Sequence, residues 1–230
     1  MATAARNKNW FAIWITIAVV VIVVAVAGVV IAMNSAATGS GTQPQSSHID
    51  TASGAISLGS GSKTMDTYID LQCPICQQFE EAYGTDIQKL VTEKTITLKI
   101  HPISILDRES SGTQYSTRAA SAVYSVAVRD YSHVYAFIQM LYTNQPAEGA
   151  TGLTDQQLID LAKKAGVNMT SDLQNDFTKH TYAKYVTAMT PKTPLAPGAS
   201  GIGTPTVAID GKTISLSTLP APAQIGSLFK

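Results

Sequence analysis

The chain contains two cysteines, both in the stretch Cys73-Pro74-Ile75-Cys76, between a strand-like run and a helix-like run. The free N–H groups and the positive dipole end of a helix start stabilise a thiolate, which lowers the pKa of such a cysteine from about 8.5 to roughly 3.5–7.5. Cys73 is therefore predicted to be a nucleophile, with Cys76 close enough to attack a mixed disulfide and release the partner. Pro74 suits the first helical position, where a missing N–H costs nothing. The pattern favours thiol–disulfide exchange.

Two other interpretations of the cysteine pair are less favourable. A zinc site needs four ligands, so the cysteines would have to recruit histidines. The four histidines show no paired ligand spacing: His48, His101, His133 and His180. A purely structural disulfide would close a very short loop, and the entropy removed from the unfolded chain grows with loop length. Redox chemistry is preferred, and no metal is predicted.

The composition excludes some other classes of function. With 230 residues, 45% hydrophobic content and a formal net charge of zero, the chain is long enough for one sizeable core plus appendages. It has no large basic or acidic block, so nucleic-acid binding is not expected. Two cysteines cannot form a multi-bridge framework, and a domain of this size does not need one.

Residues 11–33 form an apolar run without a charged side chain. At about 1.5 Å per residue this run crosses a hydrocarbon core of about 30 Å, which predicts a transmembrane helix. Arg6 and Lys8 precede the run, and the next lysine or arginine is Lys63. The positive-inside rule then places residues 1–10 in the cytoplasm and the C-terminal part outside. The predicted location is the cell membrane, with a single-pass signal anchor in the N-in/C-out orientation.

A cleaved signal peptide is the alternative to a retained anchor. Small residues at 35–37 would suit cleavage, but the apolar run exceeds the usual core of about 7–15 residues. Either alternative exports the rest of the chain. Residues 34–49 are mostly small and polar, which predicts a flexible linker that tethers the domain near the outer membrane surface.

The first part of the folded domain, residues 50–108, is predicted to contain a strand–helix–strand unit. Residues 56–58 and 64–70 are strand-like. Residues 95–105 show an alternating pattern rich in β-branched side chains, which is also typical of a strand. Apolar side chains after the cysteines recur every three or four residues, as in a helix packed on a core. These are Phe79, Tyr83, Ile87 and Leu90. A βαβ unit with parallel strands is expected.

Residues 109–192 are predicted to be a helical insertion of four helices. Thr154 and Ser171 are each followed three residues later by glutamine, which fits the capping box at a helix start. Three prolines then break the chain: Pro191, Pro194 and Pro197.

The last part, residues 193–230, is predicted to return to the sheet. Residues 206–209 have strand character, the Asp-Gly pair at 210–211 is a strong hairpin signal, and residues 212–216 form the returning strand. A final helix is expected at about 221–229. The sheet unit is thus split by the helical insertion.

A proline precedes this strand, in the stretch Gly203-Thr204-Pro205-Thr206. The bond before proline is a candidate for the cis form, which is costly before any other residue. This signal is weak alone. Downstream of a strand, a C-x-x-C pair and a helix, it becomes the expected second half of a thioredoxin-like site.

Over roughly residues 50–230 the chain resembles the DsbA-like thiol-disulfide oxidoreductases. The resemblance rests on residues 70–76 (DLQCPIC), residues 203–206 (GTPT) and the helical block between them. Residues 106–120 also resemble the start of the helical insertion in membrane-anchored members from Gram-positive actinobacteria. The fold class implied is α/β: a thioredoxin-like fold with an inserted all-helical subdomain, here preceded by one N-terminal transmembrane helix.

The resemblance also implies roles for individual residues. Cys73 would be the attacking, solvent-accessible cysteine and Cys76 the buried resolving one. Pro205 would be cis, and Thr204 would offer its backbone to a bound extended peptide. Such strand-like docking supplies hydrogen bonds that are indifferent to side chain, so it suits many clients.

Two positions depart from the family pattern. Strongly oxidising members carry a histidine before the second cysteine, where this chain has Ile75, so a milder oxidant is expected. Relatives often place an acid six residues before the first cysteine, where this chain has Thr67. Asp66 should face the opposite side of the strand from Thr67, so Asp70 is the preferred candidate for proton transfer. A strand-end turn residue is an equally good interpretation of Asp70.

The sequence therefore predicts a membrane-tethered, extracytoplasmic enzyme that forms disulfides in exported proteins. Its only redox group would be the Cys73–Cys76 disulfide, without a further cofactor. The expected partners are exported proteins with cysteines and a membrane or small-molecule reoxidant. The alternatives are a disulfide isomerase or reductase of the same fold, and a non-catalytic thioredoxin-like module that binds exported proteins.

Overall fold

The computed structural model describes residues 41–230. The predicted cytoplasmic segment, residues 1–10, and the predicted transmembrane helix, residues 11–33, lie outside this range. Within residues 41–230, every helix is too short or too polar to span a bilayer.

A sheet of six strands, in the order β1-β2-β4-β3-β5-β6, forms the centre of the described part of the chain. The strands are β1 (Ile49–Asp50), β2 (Ala55–Gly59), β3 (Lys63–Ile69), β4 (Ile96–Pro102), β5 (Thr206–Ile209) and β6 (Lys212–Ile214). β3 pairs with β4 in parallel, and the other neighbours are antiparallel. The parallel pair flanks a helix in sequence, so the predicted βαβ unit is confirmed. The short strand β1 was missed because two residues carry no periodicity.

Six α-helices lie in residues 41–230. They are α1 (Pro74–Thr92), α2 (Tyr115–Arg129), α3 (Val134–Thr143), α4 (Asp155–Lys164), α5 (Ser171–Thr178) and α6 (Ala183–Met189). Five of them lie in the predicted insertion, where four were expected. The tract after α5 is broken at His180, whose φ of 48° is left-handed and cannot continue a helix. The predicted C-terminal helix is a 3-10 helix, Pro222–Phe229.

The two predicted capping boxes had different outcomes. Thr154 is the N-cap of α4, and its hydroxyl and the Gln157 side chain make both reciprocal hydrogen bonds. At α5 the cap is Thr170, one residue before the predicted Ser171, and its hydroxyl accepts a hydrogen bond from the Leu173 N–H. Because Thr170 and Ser171 are neighbouring hydroxyl residues, the sequence does not show which of them is the N-cap. The extended backbone of Thr170 (ψ 162°) identifies Thr170 as the cap.

Two tyrosines of the helical block donate hydrogen bonds to backbone carbonyls at one edge of the sheet. The Tyr124 hydroxyl donates to the Gly54 carbonyl at 2.6 Å, and the Tyr131 hydroxyl donates to the Ser57 carbonyl at 2.6 Å. Tyr124 is fully buried, so its ring adds apolar burial to a satisfied hydrogen bond. The helices and the sheet therefore share one hydrophobic core.

The boundary of the predicted flexible linker, residues 34–49, was wrong at its C-terminal end, because residues from Pro44 onward pack on the domain. Pro44 is buried, and the His48 ring stacks on the Tyr131 ring with centroids 3.6 Å apart. Ile49 begins β1 and is buried. A polar composition predicted a free coil, but Pro44, His48 and Ile49 pack on the domain.

Gly61, in the turn between β2 and β3, lies against the start of β4. A Cβ at this position would meet the Ile96 nitrogen at 2.3 Å and the Thr95 carbonyl carbon at 2.4 Å, and both are backbone atoms. We expect Gly61→Ala to lower the free energy of unfolding by about 2–3 kcal/mol, because the turn must move away from β4. Urea unfolding measures this loss. Gly201→Ala is the control, since its Cβ would meet open space, and equal losses in both variants would contradict the packing argument.

Candidate active site

The two cysteines lie where β3 gives way to α1. Cys73 is the N-cap of α1, with extended backbone angles of φ −74° and ψ 117°, and Pro74 follows at the start of the helix. Cys73 exposes 6% of its surface and Cys76 exposes 1%, and both are free thiols. Cys73 is the more exposed of the two, but it is less accessible than the resemblance implied, because chain segments far away in sequence cover it.

The surroundings of Cys73 favour its thiolate. The pKa of the Cys73 thiol is lowered from 9.0 to about 6, first by a hydrogen bond from the Cys76 thiol. Burial opposes this shift, while the Thr204 side chain and the backbone N–H groups of Ile75 and Cys76 add to it. These N–H groups belong to the first turn of α1, as the helix-start argument requires. At neutral pH, Cys73 is therefore mostly a nucleophilic thiolate.

Cys76 is held in the opposite protonation state. Burial raises the pKa of the Cys76 thiol well above 9.0, and the neighbouring Cys73 sulfur raises it further. Two like charges so close in a buried site are unfavourable, so only one sulfur ionises near neutral pH. The pair therefore consists of one reactive thiolate and one protonated, buried thiol.

The segment before β5 completes the site. The Thr204–Pro205 peptide bond is cis, and the Cys73 Sγ lies 3.3 Å from the Thr204 carbonyl oxygen. β5 pairs with β3, and this pairing brings two segments that are 131 residues apart in sequence into contact. Ile75, beside the cysteines, is 49% exposed, which is high for a large apolar side chain.

Asp70 lies between the end of β3 and the cysteines and is fully buried, and its backbone carbonyl accepts a hydrogen bond from the Cys73 N–H at 3.0 Å. Its carboxylate accepts hydrogen bonds from the Ser116 hydroxyl at 2.7 Å and from the backbone N–H groups of Gln72 and Leu106, each at 2.9 Å. Burial raises the pKa of Asp70 from 3.8 to about 6, these three bonds oppose the shift, and the Cys73 charge adds to it. Asp70 is therefore a carboxyl group that can take up and release a proton near neutral pH.

The other carboxylate considered from the sequence, Asp66, has a different neighbour. The His101 Nε2 lies 2.9 Å from an Asp66 oxygen, and the His101 Nδ1 lies 3.2 Å from the Ser53 carbonyl oxygen. His101 is the penultimate residue of β4 and is buried. Asp66 is thus engaged within the sheet, and Thr67 is a buried residue of β3 without a charge.

The sequence alone did not reveal the role of several polar residues that hydrogen-bond within this site. Ser116 lies on α2, and Gln145 follows α3 and donates to the carbonyls of Leu71 and Cys73 at 3.0 and 3.1 Å. Serine and glutamine are common in surface helices, and these contacts span 46 to 74 positions of the chain, so no local pattern marks them. Within the described range, no three histidine, cysteine or acidic side chains come together as a metal site would require.

The hydrogen bond from Ser116 can be tested through the charge on Asp70. We expect Ser116→Ala to raise the pKa of Asp70 further above its ordinary value, because the lost donor favoured the ionised form. The free energy of unfolding should fall by about 1.5–3 kcal/mol at pH 8, where Asp70 is charged, and by less at pH 4, where the folded state keeps it protonated. Carboxyl-carbon NMR titration and urea unfolding at both pH values measure these effects.

Ser125→Ala is the matched control for this substitution. Ser125 is a buried serine of the same helix, and its hydroxyl bonds the Ser121 carbonyl instead of a carboxylate. Its loss should depend little on pH. A pH-independent loss for Ser116→Ala as well would contradict the assignment of a charged partner.

Comparison with known proteins places this geometry in a family. The sequence profile of the thioredoxin family matches residues 56–224, which include both cysteines and the cis-proline segment. The chain belongs to the thioredoxin family. Its helical insertion gives this thioredoxin-family protein the DsbA-like arrangement, so the family and fold expected from residues 70–76 and 203–206 are confirmed.

Two solved structures illustrate the likeness. MdbA, a thiol-disulfide oxidoreductase from Corynebacterium matruchotii, is 27% identical with a TM-score of 0.62, over 77% of this chain and 88% of that one. Oxidised DsbA from Mycobacterium tuberculosis is 26% identical with a TM-score of 0.60, over 76% of this chain and 97% of that one.

A curated relative shares part of the sequence. The serine/threonine-protein kinase PknE of Mycobacterium tuberculosis is 35% identical over 112 residues, which are 47% of this chain. The chain spans about a fifth, 20%, of the length of that kinase.

Proposed function

We propose that this thioredoxin-family protein is a thiol-disulfide oxidoreductase that forms disulfides in exported proteins. The observation that carries the proposal is the unequal pair of sulfurs at the start of α1. The pKa of Cys73 is lowered to about 6, whereas that of Cys76 is raised well above 9.0. A stabilised thiolate stabilises the reduced form of the enzyme, and this makes the oxidised form a better oxidant.

The exchange would proceed in two displacements from the oxidised Cys73–Cys76 disulfide. A client thiolate attacks the Cys73 sulfur, so a client–Cys73 bond forms and the Cys73–Cys76 bond breaks. Cys76 leaves with the bonding electron pair and takes up a proton. A second client thiolate then attacks the client sulfur of the mixed disulfide, and Cys73 leaves as a thiolate. The client loses two electrons and two protons; the enzyme gains the electrons and keeps one proton on Cys76, Cys73 remains a thiolate, and the other proton goes to solvent.

The two sulfurs differ in their quality as leaving groups. The low pKa of Cys73 makes it a good leaving group in the second displacement, since thiols of lower pKa leave faster. Cys76 leaves as a thiolate in the first displacement, although its surroundings favour the thiol, so it needs a proton at once. Asp70 is proposed to supply that proton, because its pKa of about 6 allows it to hold one near the operating pH.

The client is proposed to bind as an extended chain beside Thr204 and Pro205. The Thr204 carbonyl lies 3.3 Å from the Cys73 sulfur, so a strand docked on this backbone would bring its own sulfur to the reactive one. The exposed apolar side chain of Ile75 would contact the client next to the cysteines. Such contacts select an unfolded or flexible segment instead of one sequence.

The proposed setting is the outer side of the cell membrane. The apolar run at residues 11–33 and the basic residues Arg6 and Lys8 before it support a single-pass anchor with the folded domain outside. No cofactor is proposed beyond the Cys73–Cys76 disulfide. A membrane-bound or small-molecule oxidant must then accept two electrons from the dithiol and restore the disulfide after each turnover.

The experiment that tests the proposal mixes the oxidised chain with a reduced two-cysteine client in the absence of other oxidants. Stoichiometric appearance of the client disulfide supports an oxidase. Equilibration with glutathione then separates the enzyme roles: about −120 to −180 mV suits an oxidant or isomerase, and about −270 mV suits a reductase. Ile75 in place of a histidine favours the milder end of this range. Absence of any exchange would leave a non-catalytic binding module.

A further inference from the structure

Three glutamine amides join the cysteine segment to the helical block. The Gln72 Nε2 donates to the Glu109 carbonyl at 2.8 Å, and the Gln77 Nε2 donates to the Tyr142 carbonyl at 3.0 Å. In the opposite direction, the Gln145 Nε2 donates to the carbonyls of Leu71 and Cys73 at 3.0 and 3.1 Å. We call these three side chains, Gln72, Gln77 and Gln145, the amide clasp.

Gln145 makes the contacts of the clasp that lie nearest to the chemistry. Leu71 and Cys73 stand between the end of β3 at Ile69 and the start of α1 at Pro74. The Cys73 carbonyl also accepts the first hydrogen bond of α1, from the Gln77 N–H at 3.2 Å. One amide that bonds two carbonyls orients the Leu71–Gln72 and Cys73–Pro74 peptide groups, one before Cys73 and one directly after it. Those peptide groups set the direction from which the Cys73 side chain reaches the first turn of α1.

The same amide also changes the electrostatic field at the sulfur. A carbonyl carries its negative end on oxygen, so an N–H donor placed on the Cys73 carbonyl partly offsets that negative charge close to the thiolate. The clasp carries no charge of its own. It can therefore hold the segment in the same way in the thiol, thiolate and disulfide forms.

We propose that Gln145 is a positioning residue for the redox reaction, which holds the backbone of Cys73 so that the thiolate stays over the start of α1. The proposal rests on the function proposed above. It assigns to the helical block a part in the chemistry of a cysteine that lies outside it. Loss of the amide should leave the fold in place and make the Cys73 thiolate less stable.

The test replaces Gln145 with methionine in the full chain. Methionine has nearly the length and volume of glutamine but no donor, so Gln145→Met removes the hydrogen bonds with little change in packing. The matched control is Gln156→Met, which makes the same change at an exposed glutamine of α4 that bonds only Asp160 among the described contacts. Thiolate absorbance of Cys73 against pH and the equilibrium with glutathione are measured for both variants.

For Gln145→Met, the midpoint of the Cys73 titration should rise by about 0.5–1 pH unit, with a parallel fall of up to about tenfold in the equilibrium constant for oxidation of glutathione. Gln156→Met should match the wild type. The titratable groups that act on Cys73 are Cys76 on α1, Asp70 after β3 and Tyr142 on α3, and the substitution changes none of them.

The possible outcomes separate this proposal from the proposed function. A wild-type titration near the ordinary cysteine value, together with no exchange activity, would reject the function itself. A low wild-type midpoint that Gln145→Met leaves in place would reject only the positioning role, even if the variant unfolds more easily. If Gln145→Met does not fold, Gln77→Met decides, because it opens the clasp from the α1 side and should raise the midpoint in the same direction.

Discussion

Replacing Cys73 with alanine is expected to abolish thiol–disulfide exchange, lowering the rate of insulin reduction and of client oxidation by at least about a thousandfold, to the uncatalysed background. Cys73 is the one sulfur that combines a low pKa, near 6, with contact to the Thr204 backbone where a client would lie. Cys76 cannot replace it, since burial raises its pKa and leaves 1% of its surface exposed. Turbidity of reduced insulin and loss of client thiols measure the two rates.

Cys76→Ala is the informative companion variant. It keeps the nucleophile but removes the sulfur that would resolve an intermediate, so Cys73 should remain joined to the client as a mixed disulfide. Non-reducing electrophoresis detects that adduct. Exchange activity retained in Cys73→Ala, or adducts formed through Cys76 alone, would contradict the assigned roles.

The second large effect is a pH-dependent difference in stability between the reduced and oxidised forms. The folded pKa of Cys73 is depressed to about 6 from 9.0, so its thiolate contributes stability that is fully present above about pH 9 and is lost as the pH falls through 6. The oxidised form has no thiol to titrate. The free energy of unfolding of the reduced form should therefore increase relative to that of the oxidised form between pH 6 and pH 9.

The size of this gain follows from the pKa shift. About three pKa units correspond to about 4 kcal/mol, and screening through the 6% of the Cys73 surface that remains exposed gives an expected range of about 2–4 kcal/mol. Asp70 has the opposite sign, since its raised pKa contributes stability below about pH 4 that is lost as the pH rises through 6. Asp70 is present in both redox forms, so most of its contribution cancels in the difference.

Urea unfolding of both redox forms at pH 5, 7 and 8.5 measures this difference. Cys73→Ser, kept reduced, provides the control, because it retains a small polar side chain but cannot form a thiolate. Its stability should lack the gain between pH 6 and pH 9. Parallel pH profiles for the reduced and oxidised wild type would show that Cys73 is not a stabilised thiolate.

The low pKa of Cys73 has a different origin from the one that the family comparison suggested. Members with a histidine before the second cysteine use that side chain to favour the thiolate, and Ile75 cannot donate a hydrogen bond. Here the largest contribution is the Cys76 thiol, followed by the Thr204 side chain and the backbone N–H groups of the first helical turn. An apolar residue at position 75 therefore leaves a reactive thiolate in place and exposes an apolar side chain beside the cysteines.

The sequence by itself determined the features that depend on neighbours along the chain. A strand, Cys73-Pro74-Ile75-Cys76 and an amphipathic helix follow one another, and the structure places Pro74 at the start of α1. The parallel β3–α1–β4 unit and the cap at Thr154 were predicted for the same reason. Periodicity, capping and proline geometry act over a few residues, so their signals are present in a short stretch of sequence.

Only the tertiary structure decided which distant groups surround the sulfurs. Pairing of β5 with β3 brings the Thr204 carbonyl to Cys73, and packing of α2 brings the Ser116 hydroxyl to Asp70. The burial of both cysteines follows from the same packing. A pKa depends on desolvation and on every nearby donor and charge, and these are set by the register of strands and helices far apart in sequence. The C-x-x-C motif thus defines the reaction class, and the assembled fold determines which sulfur reacts and how strongly.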